Sequence, residues 1–97
     1  MKRKVIVIDI RKRSNKTEQH LYGATDTNDD LSNIFIASGQ SNEEFINTFF
    51  HEITHSFIHW YGVKVPAAEE ERLARTVGDV VTPLFRKYKG KVNARAV

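Results

Sequence analysis

The chain has no cysteine, two prolines, one methionine and one tryptophan among its 97 residues. Without thiols there is no disulfide, no thiolate metal site and no cysteine nucleophile. Any metal must therefore be held by His and carboxylate, and any cross-link for so small a core must come from that metal. Long apolar runs are also missing. The strongest, residues 5–10, is interrupted by Asp9; it falls far short of the roughly 18–20 residues a membrane span needs and is too short and charged for a secretory signal, despite Lys2, Arg3 and Lys4 before it. A membrane role is not expected, and the cytoplasm is the default compartment. At this length the chain makes one domain, assigned to residues 1–88, followed by a basic flexible tail at 89–97.

Charge is unevenly spread. The net charge is +3, yet residues 1–25 carry +5, residues 26–82 carry −7 and residues 83–97 carry +5. Basic ends around an acidic centre permit contact with nucleic acid, but no aromatic stacking pattern or nucleic-acid motif interleaves with them.

Residues 4–10 (KVIVIDI) are rich in β-branched side chains and predict a strand, central or first in its sheet. Residues 20–25 and 32–37 predict two more strands, and the cluster Asp26, Asn28, Asp29 and Asp30 between them favours a hairpin turn. Ser41 with Glu44 three residues later is a capping box, which predicts a helix from about Asn42. Apolar residues at Ile46, Phe49, Phe50, Ile53, Phe57 and Trp60 follow the 3.6-residue helical period, and Gly62 ends the run. A second helix is announced by Glu69, Glu70 and Glu71, acids suited to the positive end of the helix dipole. Leu73, Val77, Val80 and Leu84 form its expected core stripe, and Pro83 is expected to kink it or to mark its last turns. The fold class is thus α+β: a small three-stranded sheet packed on two helices.

His51, Glu52, Ile53, Thr54 and His55 spell HExxH in the middle of the first helix. Histidines four apart project from one helix face, so two imidazoles can reach one tetrahedral Zn2+, with Glu52 offset by about 100° beside the metal. There zinc would acidify a water, and Glu52 would take its proton as the water attacks a carbonyl. A third ligand is needed. His59 lies eight residues from His51, about 12 Å along a straight helix, too far for ligands that sit about 3–4 Å apart. Among the acids opening the second helix, Glu71 ranks first and Glu70 second. Glu71 continues the small-residue stripe Ala74 and Gly78, which lets the second helix come close. The metal set is therefore His51, His55 and Glu71, with Glu52 catalytic.

HEITHSFIHWYG followed by EEERLA, preceded by YGATD and a GQS turn into the helix, resembles the small zinc proteases of phages and mobile elements related to ImmA/IrrE-like minimal gluzincins. The resemblance covers about residues 20–82. It implies a minimal zincin fold, zinc held by His51, His55 and a downstream helical Glu, and Glu52 as general base. The acid found four residues past the ligand Glu in many gluzincins falls here on Arg75.

The leading expectation is a zinc-dependent metallopeptidase acting on a peptide or protein, with an accessory protein partner as a further source of specificity. His20 and Tyr22, on the expected hairpin before the active helix, are read first as strand surface and core residues, with reaching the cleft to stabilise an oxyanion as the alternative. If residues 33–37 form the sheet edge beside the zinc, they could pair with an extended peptide. Two other readings stand beside it. One is a zincin-fold accessory protein that uses zinc structurally and grips a protein or nucleic acid; the other is a zinc hydrolase acting on RNA or another non-peptide substrate.

Overall fold

The computed structural model describes residues 3–14 and 16–96, excepting the side chains of Thr17 and of 88–96. The element order is β1 (Val5–Arg11), a 3-10 turn (Lys16–Glu18), β2 (Gly23–Thr27), β3 (Leu31–Ala37), α1 (Asn42–Trp60) and α2 (Ala67–Ala96). The α+β class is as expected, with three strands and two helices.

The sheet order is β1-β3-β2, with β1 parallel and β2 antiparallel to β3. The expected hairpin forms: Asn28 accepts from the backbone N–H groups of Asp30 and Leu31 through its side-chain oxygen, an Asx turn that reverses the chain. Of the two places expected for the first strand, the central one is not taken: β1 comes first in the chain and lies at an edge. The condition that residues 33–37 form the sheet edge is not met, since β3 spends both its ladders on its neighbours. Within this central strand Ile34, Phe35, Ile36 and Ala37 are buried, while Asn33 is exposed. The free edge beside the helices is β2. That strand begins at Gly23 and not at His20, so His20 and Tyr22 sit in the approach to it.

Helix α1 starts where the capping box places it. Ser41 Oγ accepts from the Glu44 N–H at 3.2 Å and lies 3.0 Å from the Glu44 carboxylate. Gly62, at φ +64°, turns the chain out of the helix, a left-handed conformation that favours glycine. α1 packs across β2 and β3 through Thr48, Glu52 and Ser56, all buried. Gln40 joins the parts: its amide donates to the Tyr22 and Ala37 carbonyls, and its oxygen accepts from Thr48.

Helix α2 runs antiparallel along α1 and, among the described residues, does not pack on the sheet. The contact face is the small-residue stripe. Ala74 is buried, and a Cβ added at Gly78 would lie 2.4 Å from Asn47 Oδ1 and 2.9 Å from the Asn47 carbonyl. The expected core stripe is therefore wrong: Leu73, Val80 and Leu84 are exposed, at 43%, 56% and 49%. Close helix approach needed small side chains, and it drew α2's contact face round to them. α2 continues through Pro83, which is exposed. The expected flexible tail at 89–97 lies outside the described residues as far as its side chains and Val97 are concerned. Among the described residues no helix is long and apolar enough to cross a membrane.

Candidate metal centre

His51 and His55 occupy successive turns of α1, on the side where the sheet and α2 diverge, with ring centroids 5.2 Å apart. Glu71 reaches them from the first turns of α2. Its Oε1 lies 2.5 Å from His51 Nε2, and its Oε2 lies 3.5 Å from His55 Nε2. Among the described residues, His51, His55 and Glu71 form the group able to share an ion, each offering one ligand atom within 4.8 Å of the others. Two imidazole nitrogens and a carboxylate are a donor set that a metal ion could share. Burial acts to raise the Glu71 carboxyl, but the His51 hydrogen bond and the neighbouring imidazoles outweigh it and hold the group below its ordinary value.

Glu70 does something different from its neighbour. Its Oε2 lies 2.6 Å from His55 Nδ1, the nitrogen facing away from Glu71. A carboxylate on Nδ1 fixes the ring's orientation and directs Nε2 at the shared centre. The Glu-Glu pair thus divides into one acid between the two Nε2 atoms and one behind a ring. This gives Glu70 a contact different from that of Glu71, which the sequence ranking did not foresee.

Glu52 points from α1 toward β2 and is only 8% exposed. The Thr25 hydroxyl donates to its Oε1 at 2.6 Å and lies 3.1 Å from its backbone carbonyl. Glu52 also lines the openings on both sides of the histidines. Its close approach to β2 depends on Gly23, two residues before Thr25 on the same face of the strand. A Cβ there would fall 2.7 Å from Thr48 Cγ2, 2.9 Å from the Phe35 carbonyl and 3.0 Å from Glu52 Cγ. Neither Gly23 nor Thr25 was singled out in the sequence. The available signal was the pair of small side chains two apart in a strand otherwise short of bulk, which is where a helix can come close.

The group lies between two openings along the β2 edge. One, of about 640 Å3, is lined by Thr25, Asp26, Glu52, His55, Lys64 and Glu70, and the exposed His59 joins its wall. The other, of about 370 Å3, holds His20, Leu21 and Tyr22 together with His51 and Glu71. His20 and Tyr22 thus reach the cleft. His59 does not join the metal group, in keeping with the helical spacing.

No protein-family model, curated protein or solved structure matches this chain.

Proposed function

We propose that this chain is a zinc-dependent peptidase whose metal is held by His51, His55 and Glu71, with Glu52 as general base. The observation that carries this reading is convergence. The Nε2 atoms of two histidines on α1 meet a carboxylate from α2, while a buried glutamate from the same turn of α1 stands beside them. Bound there, zinc supplies Lewis acidity, acidifying water and polarising a carbonyl.

The remaining work falls to the chain's own residues. Thr25 holds one Glu52 oxygen, and the carboxylate accepts the proton of the attacking water and later passes it to the leaving amine. Glu70 holds His55 in register. The free edge of β2 borders the centre and offers backbone N–H and C=O groups to an extended peptide, whose side chains would enter the openings on either side. Here β2 replaces β3 as the strand available for pairing. His20 and Tyr22, in the smaller opening, are the groups positioned to donate to an oxyanion.

The test is hydrolysis of an unstructured protein substrate or a mixed peptide library by zinc-loaded protein, beside Glu52→Gln. Glu52→Gln should retain the metal and the fold and lose cleavage by at least about a hundredfold. Equal cleavage by the variant would refute the mechanism. Tight zinc binding with no hydrolysis of any peptide would favour a structural metal in a binding protein.

A further inference from the structure

We propose that the exposed apolar stripe of α2 is the seam of a homodimer in which α2 lies antiparallel against α2 of a second copy. Leu73, Val77, Val80 and Leu84 are spaced by four, three and four residues, which puts them on one face of the helix in a two-heptad apolar pattern. That face is not the one buried against α1. Ala74 and Gly78 make that contact, and Leu73, Val80 and Leu84 stand about half exposed beside it. Isolated exposed aliphatic residues need no explanation, but a run on one helix face flanked by charge marks a contact surface.

Two features identify the occupant as a second copy. First, the spacing is palindromic. Read backwards from Leu84 it is again four, three, four, so an antiparallel copy sets Leu73 against Leu84 and Val77 against Val80 along the whole seam. Second, the charges complement themselves. Glu69 and Lys87 are eighteen residues apart, about five helical turns, and so lie at the same angle beside the stripe. Antiparallel pairing brings Glu69 of each copy to Lys87 of the other, whereas parallel pairing would put them at opposite ends of the seam. Among the described residues, Glu69 pairs within one chain with the exposed Arg72, 3.6 Å away. Opposed helix dipoles add to the same preference. Glu71 lies about 200° around the helix from Leu73, so this pairing leaves the metal cleft open.

Sedimentation equilibrium on the full chain, over about 5 to 500 µM at low salt, tests this. The expected result is a dimer that Val80→Glu abolishes while circular dichroism remains that of the folded protein. Glu69→Lys and Lys87→Glu should each weaken association about five- to tenfold, and the double reversal should restore it. The restoration is the decisive arm, because non-specific adhesion would not recover when the charges are exchanged. A chain that stays monomeric throughout, a dimer indifferent to Val80→Glu, or a dimer unaffected by single charge reversal would overturn the proposal.

Discussion

The side chains that α1 buries are mainly polar, whereas along α2 the aliphatic side chains of Leu73, Val80 and Leu84 stand about half exposed. At the interface of α1 with the sheet Thr25 holds Glu52, and the hydroxyls of Thr27, Ser32 and Ser56 satisfy one another at 2.8 and 2.6 Å. Among the described residues no buried side-chain nitrogen or oxygen is left without a partner. A buried polar contact costs free energy unless it is fully hydrogen-bonded, but when satisfied it fixes register in a way that apolar contact does not. That interface positions Glu52, so its polarity serves geometry. The α2 stripe positions nothing in the cleft and is free to serve another contact.

Substitutions at the two interfaces separate their roles. The largest effect should come from Gly23→Ala, whose Cβ would press on the Phe35 carbonyl and the Glu52 side chain. Denaturant unfolding should show a loss of about 1–3 kcal/mol, and a neutral result would mean that the helix is not so close to β2. Gly78→Ala is informative for its sign. In an exposed helix the change would stabilise by up to about 1 kcal/mol, but against Asn47 it should destabilise and weaken metal binding by moving Glu71 away. Ser56→Ala should cost about 1 kcal/mol, since Thr27 and Ser32 still pair with each other. By contrast, Val80→Ser should leave the thermal stability of the monomer within about 0.5 kcal/mol. Thr25→Val should keep the metal and lower peptide turnover about tenfold through a loosened Glu52, a small part of what general-base catalysis contributes.

The smallest effect concerns the far end of the sheet. Arg11 clamps Glu18 through two 2.8 Å contacts, and the Ser14 N–H and hydroxyl reach the same carboxylate. The Arg11 bond, and then the Ser14 bonds, hold the Glu18 carboxyl down at about 2. A depressed carboxyl stabilises the folded form above its ordinary range near 4.5 and loses that contribution as pH falls towards 2. The Ser14 amide should therefore be protected from hydrogen exchange at neutral pH and lose protection across that acid window, and Glu18→Gln should remove the dependence.

Much of this was legible in the sequence because it is local. The capping box fixed the start of α1, Gly62 its end, and the His51–His55 spacing the shared face of two imidazoles. The small residues Ala74 and Gly78 also marked the face on which α2 comes close to α1. What escaped were pairings between distant segments. Thr25 and Glu52 are 27 residues apart, and nothing near either one announces the other. The central place of β3 follows from two ladders that no local pattern distinguishes from one. The α2 stripe misled because periodicity shows that a helix has an apolar face but not which neighbour, if any, covers it. There the close approach demanded at Asn47 and Gly78 outweighed the larger apolar residues.

The most direct measurement is zinc stoichiometry and affinity of the full chain by competition with a chromogenic chelator, beside Glu71→Ala, Glu70→Gln and Glu52→Gln. One zinc per chain is expected. It should be lost in Glu71→Ala, weakened about 10- to 100-fold in Glu70→Gln through the freed His55 ring, and unchanged in number in Glu52→Gln. No zinc in the wild type after reconstitution, or binding that Glu71→Ala leaves intact, would contradict the proposed centre.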